Sequence, residues 1–253
     1  MNDTVITSAW LNPIRWTDGW GVLQGTDKIS HPSIWAIDPA ATHLVLADRY
    51  ENILTSEEIA RGNRLHQAAH VIRYKTAHTV LRLLLSSATS SDPTAICLTK
   101  GHHHKPRLQG HSDNPIEFNL SYSENKAVIG MASGYQMGID VEWLHRPLDI
   151  KDMLHVCFSD REIAFITSQN EGMHHRFFTL WTRKEAVLKL TGEGIGEHLP
   201  LFEVLDGVSI AGKDIIGGQP PNAIYLYSFP LGHDFLGCFA SSTPVDELFF
   251  YQL

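Results

Sequence analysis

The sequence predicts an α+β fold of two similar, pseudo-twofold-related subdomains. Each is a small antiparallel sheet packed with helices, and the active site lies in the cleft between them. Three observations predict this. The segment Leu54-Thr55-Ser56-Glu57-Glu58-Ile59-Ala60 returns as Phe158-Ser159-Asp160-Arg161-Glu162-Ile163-Ala164. At a similar offset after each, Val80-Leu81-Arg82-Leu83 is echoed by Val187-Leu188-Lys189-Leu190. Between the repeats, from Ile116 onward, the apolar period changes to two, that of a strand. The expected subdomains are residues 1–134 and 135–253.

Element by element, the first thirty residues mix Trp, Gly, Pro and Asp without a period and read as irregular. Ser33-Ile34-Trp35-Ala36-Ile37 reads as a strand, and Leu44-Val45-Leu46 as a short apolar anchor. Thr55 with Glu58 three positions on forms a capping box, in which hydroxyl and carboxylate satisfy each other's free backbone donors. A helix follows, and a second runs from about Gln67 to Ser86; Ile96-Cys97-Leu98 is a strand candidate. Then Phe118, Leu120 and Tyr122 share one strand face, and Asn119, Ser121 and Ser123 the other. Ala127 to Ser133 and Gln136 to Trp143 read as two more strands joined in hairpin fashion near Ser133-Gly134. Ser159 and Glu162 open the second capped helix. The last fifty residues add little.

Composition narrows the function. The chain has 253 residues, 43% hydrophobic and 19% charged, which supports a buried core. Its net charge of −8 argues against a nucleic-acid groove. The longest apolar run, Thr79 to Ser86, is broken by Arg82, so no membrane span is expected. Residues Met1 to Trp20 lack the apolar segment of a secretory leader, and three widely spaced cysteines show no metal pattern; a cytoplasmic, reduced protein is expected. The run His102 to His104 reads as a solvated loop rather than a metal tract.

Two places carry chemistry. In Gly138-Ile139-Asp140-Val141-Glu142, the two acids stand two apart on a strand and project from one face. Neighbouring carboxylates repel unless a cation lies between them, and Mg2+, which prefers oxygen ligands, is the natural occupant. An amphipathic strand's solvated side would carry the same pair. The second place is the helix from Arg176 to Lys189, where Glu185 falls inside the apolar arc of Phe177, Leu188 and Phe178, with Lys184 and Lys189 at its margins. A buried carboxylate needs a cation or donors. The spacing of Glu185 and Lys189 also allows a plain helix ion pair. Together the three acids can close one side of a Mg2+ shell, with the two lysines toward a phosphate.

Gly138-Ile139-Asp140-Val141-Glu142, followed by Trp181-Thr182-Arg183-Lys184-Glu185-Ala186-Val187-Leu188-Lys189, resembles the signature of the 4′-phosphopantetheinyl transferase superfamily, G-[IV]-D-x-E … W-[ST]-x-K-E-[AS]-x-x-K. The length and duplication resemble its Sfp type, a monomer of two subdomains. Lys105-Pro106 and Phe118-Asn119-Leu120-Ser121-Tyr122-Ser123 resemble the family's G-K-P … F-N-[IL]-S-H-S segment, with Tyr122 in place of histidine. Gly192-Glu193-Gly194-Ile195 resembles its glycine-containing loop.

The resemblance implies that residues 1–134 bind coenzyme A through Arg61, Arg73, Lys105, Pro106, Ser121 and Tyr122, joined by Lys184 and Lys189. It implies Mg2+ on Asp140, Glu142 and Glu185. It implies transfer of phosphopantetheine to a carrier-protein serine, with Glu185 as base, directly or through a metal-bound water, and Lys189 neutralising the leaving phosphate. Trp181 and Phe177 are expected to pack the helix. A basic docking patch for an acidic carrier is expected at Arg146, Lys151 and Arg161. Of the rivals, a kinase-type enzyme predicts G-x-x-x-x-G-K-[ST], which does not occur, and a silent carrier-binding module predicts loss of a signature acid or lysine, yet all are present.

Overall fold

The computed structural model describes residues 3–11, 13–25, 31–101, 105–110, 115–194 and 196–253. The expectations for His102 to His104 and for Ile195 lie outside them. The chain opens with β1 (Asp3–Trp10), β2 (Trp16–Asp18), α1 (Trp20–Leu23), β3 (Ser33–Ile37), α2 (Pro39–Leu46) and α3 (Tyr50–Ile53). There follow α4 (Ser56–Asn63), α5 (Ala68–Thr89), β4 (Leu98–Lys100), β5 (Pro106–Leu108), β6 (Ile116–Ser123) and β7 (Lys126–Ser133). The rest is β8 (Met137–Trp143), α6 (Lys151–Cys157), α7 (Asp160–Thr167), α8 (Met173–Thr191), β9 (Gly207–Gly212), α9 (Lys213–Ile216), β10 (Ala223–Leu231), β11 (Phe235–Ser241) and β12 (Phe249–Gln252).

Two five-stranded sheets result, in the orders β2-β12-β3-β7-β6 and β8-β11-β10-β1-β9. Within them, β3-β7-β6 and β8-β11-β10 have the same connectivity: a strand, a helical layer, then an antiparallel hairpin whose second strand pairs with the first. The hairpin expected between β7 and β8 is therefore corrected. Lys126–Ser133 turns back on Ile116–Ser123 through Glu124, which takes a positive φ, and β8 leaves for the other sheet. Gly130 shows how close the two sheets come: a Cβ there would lie 2.3 Å from the Met137 side chain.

Sheet membership changes between β7 and β8, but the chain ends cross over. β1 lies between β10 and β9 of the second sheet, and β12 between β2 and β3 of the first. The expected irregular start thus holds a strand. Its buried face is Thr4, Ile6 and Ser8, so no apolar alternation marks it. The Leu44-Val45-Leu46 anchor is corrected too: Leu44 and Val45 are exposed on α2, and only Leu46 is buried.

Both capping boxes form, Thr55 with Glu58 and Ser159 with Glu162. Each glutamate also grips a buried cation of the next long helix. Arg82 Nε donates to Glu58 at 2.8 Å, and its Nη1 donates to the carbonyls of Pro93 and Ile96. Lys184 Nζ lies 2.8 Å from Glu162 and donates to the carbonyls of Leu199 and Phe202. The mechanical counterpart of Arg82 is thus Lys184, not Lys189 as the sequence echo suggests. Among the described residues, no helix is long and apolar enough to cross a membrane.

Candidate active site

The seam between the sheets is a meeting of two edge strands. β6 ends one sheet and β8 the other, and no backbone ladder joins them. Side chains do so instead. Asn119 Oδ1 accepts the Ile139 N–H at 3.1 Å, Ser121 Oγ that of Val141 at 3.4 Å, and Ser123 Oγ that of Trp143 at 2.9 Å. The polar face read from the sequence therefore satisfies every second N–H of β8, groups that would otherwise be buried without partners.

The same hydroxyls hold the acids. Ser121 donates to Asp140 Oδ1 at 2.8 Å and Ser123 to Glu142 Oε2 at 3.0 Å. Trp181 Nε1 donates to Glu142 Oε1 at 3.1 Å, and Arg146 lies 3.5 Å from that oxygen. Trp181 packs, stacked on Phe177 as expected, but its indole also orients an acid, a role its place in the apolar arc concealed.

Helix α8 lies against β8 because residue 138 is glycine. A Cβ there would stand 2.2 Å from the Ala186 carbonyl and 2.4 Å from the Leu190 amide. This contact brings Lys189 Nζ to 2.6 Å from Asp140 Oδ1 and 2.9 Å from Ser121 Oγ. Glu185 is the third acid, partly buried as its wheel position predicts. Burial, then the charge of Asp140, pushes its carboxyl up to about 7; Lys189 opposes this and Glu142 adds to it. Burial and Asp140 raise Glu142 as well.

Asp140 Oδ2 and Glu185 Oε1 are buried without hydrogen-bond partners. Orphan carboxylate oxygens on mutually repelling acids are the donor set that a hard cation takes. Among the described residues no group of three such side chains is already gathered around one point.

Beside the acids opens a cavity of about 520 Å3, lined by Gln67, His70 and Arg73 of the α5 start, by Tyr122 and Glu124, and by Glu142 with Arg146. Arg73 lies over the Tyr122 ring at 5.5 Å and donates to the Glu124 carbonyl. The Tyr122 hydroxyl is buried without a partner, and burial raises its pKa. Arg61 stands outside this lining, over the Tyr74 ring at 5.8 Å.

Two expected phosphate ligands stand elsewhere. Lys184 is fully buried on the far side of α8, between Glu162 and the Phe158 and Phe202 rings. Lys105 Nζ donates to the carbonyls of Met137 at 2.8 Å and Leu190 at 3.3 Å and faces Glu117 at 3.5 Å, so it pins the end of α8 to the start of β8. Pro106 opens β5 and is exposed.

A seam of this kind suits group transfer from a phosphate-bearing donor, with carboxylates and cations at the centre and guanidinium groups at the mouth. Comparison with known proteins agrees. Residues 136–231, which contain all three acids and Lys189, match the profile of the 4′-phosphopantetheinyl transferase superfamily. The chain is 32% identical to a Synechocystis sp. protein provisionally named a 4′-phosphopantetheinyl transferase, over 68% of this chain and 69% of that one. It is 33% identical to the 4′-phosphopantetheinyl transferase HetI of Nostoc sp., over 57% and 62%. A Bacillus pumilus 4′-phosphopantetheinyl transferase is 35% identical over 34% of this chain and 36% of its own. The chain belongs to the 4′-phosphopantetheinyl transferase superfamily.

Proposed function

We propose that this protein moves phosphopantetheine from coenzyme A to a serine of an acyl or peptidyl carrier protein, releasing adenosine 3′,5′-bisphosphate. The observation that carries the reading is the pair of orphan oxygens on Asp140 and Glu185, beside a cavity edged by Arg73 and Arg146. Asp140, Glu142 and Glu185 are the residues that would hold Mg2+, which when bound neutralises pyrophosphate charge.

The chain's own groups do the rest. The carrier serine Oγ forms a bond to the β-phosphorus as the bond from that phosphorus to the bridging oxygen breaks. Glu185, with its carboxyl near 7, takes the serine proton. Lys189, one quarter exposed beside Asp140, neutralises charge on the departing phosphate. Arg73 and Arg146 grip the nucleotide phosphates at the cavity mouth, and Trp181 and Ser123 keep Glu142 in place. The carrier docks where Arg146, Lys151 and Arg161 lie on the surface with the exposed Val156 and Phe165. On this reading the protein works as an Sfp-type monomer of two halves in the cytoplasm.

The test is mass spectrometry of an apo carrier protein incubated with coenzyme A and Mg2+. A gain of one phosphopantetheine, absent with Asp140→Ala and with Glu185→Ala, is the expected result. No gain across several carrier classes would end the proposal.

A further inference from the structure

We infer that Ser121 and Ser123 are positioning residues that fix the rotamers of Asp140 and Glu142, and that neither is a phosphate ligand. This rests on the function proposed above. A hydroxyl has one hydrogen to donate and two lone pairs to accept with. Ser121 Oγ accepts from Lys189 Nζ at 2.9 Å and from the Val141 N–H at 3.4 Å. Its one hydrogen goes to Asp140 Oδ1 at 2.8 Å. Its bonding capacity is full.

Ser123 Oγ accepts the Trp143 N–H and gives its hydrogen to Glu142 Oε2. A phosphate oxygen only accepts, so it needs the hydrogen that each serine has already committed to a carboxylate. Ser121 is also closed off, at 4% exposure, and Ser123 lines the cavity at 7% exposure with its hydrogen held by Glu142. Each hydroxyl thus joins a β8 backbone N–H to the acid on the neighbouring residue, so the seam and the acids share one set of bonds. Asn119, the third member, takes the Ile139 N–H and has no acid to hold.

The experiment compares wild type with Ser121→Ala, Ser123→Ala and Ser121→Thr, each checked for folding by circular dichroism. Mn2+ affinity is read by electron paramagnetic resonance without coenzyme A or carrier, and kcat and KM for coenzyme A are read separately. Loss of a group that orients a metal-binding side chain weakens metal binding or activity about 10–100-fold. The expected result for both alanine variants is that loss in Mn2+ affinity and kcat, with KM for coenzyme A unchanged, and recovery in Ser121→Thr. A raised KM with kcat and Mn2+ affinity intact would make the serines phosphate ligands and overturn the inference. No change in any quantity would overturn it as well. If wild type binds no Mn2+ and transfers nothing, the proposed function fails. The crystal structures of the alanine variants then decide the inference alone: turned carboxylates uphold it, unmoved ones overturn it.

Discussion

Glu162→Gln removes the negative partner of Lys184, where both side chains are 0% exposed. In the native protein Glu162 Oε1 accepts the Val204 N–H at 2.9 Å, and Oε2 accepts the Ser159 N–H at 3.0 Å besides facing Lys184 at 2.8 Å. A glutamine keeps one acceptor oxygen, but its amide points N–H groups at a donor or at an ammonium. Burial already lowers the Lys184 pKa, against which Glu162 is the largest opposing influence. Breaking a buried ion pair from one side costs about 3–5 kcal/mol. For a chain of this size each kcal/mol moves Tm by about 2–4 °C, so a fall of about 6–20 °C is expected. Lys184→Met costs less, because Glu162 keeps both backbone donors. The double variant Glu162→Leu/Lys184→Met recovers little, because it strands the Val204 and Ser159 N–H groups and the Leu199 and Phe202 carbonyls. Denaturant titration of the four proteins gives the cycle. A Glu162→Gln stability within about 1 kcal/mol of wild type would refute the reasoning, since surface-like changes stay in that range.

Other outcomes follow from the same geometry. Because Glu185 is raised from the usual carboxylate range to about 7, the folded state binds the extra proton, and its contribution to stability declines as pH rises from about 4.5 to about 7. Mg2+ competes with that proton, so it is expected to raise Tm at pH 7.5 and hardly at pH 5, as calorimetry at both values will show. Gly138→Ala drives a methyl into the Ala186 carbonyl and the Leu190 amide; a loss of about 1–3 kcal/mol, read by denaturation, and a lower kcat are expected. Lys151→Glu with Arg161→Glu is expected to raise KM for the carrier and leave KM for coenzyme A unchanged in steady-state assays, the effect fading with salt.

How much of this was legible in the sequence depends on how each residue's role is written locally. The capping boxes are local and legible, as is the odd position of Glu185 in an apolar arc. The alternation of Asn119, Ser121 and Ser123 was visible, yet its purpose was not, because an edge-to-edge seam between sheets has no sequence period. Lys184 looked like a phosphate ligand for a similar reason. At the margin of a helical stripe, a lysine facing solvent and one facing a buried acid give the same pattern. The acid that decides between them, Glu162, sits on another helix. Strand β1 leaves no apolar alternation because its inward side chains are mostly hydroxylated, and β12 leaves no local signal because its partners lie at the other end of the chain.

The exchanged ends have a thermodynamic consequence. β1 and β12 are interior strands of the sheet opposite their own half, each hydrogen-bonded on both sides. Melting either half therefore strips a central strand from the other, and neither half keeps a complete sheet alone. Unfolding is expected to be one concerted transition, with halves cut at 134/135 regaining structure only when mixed.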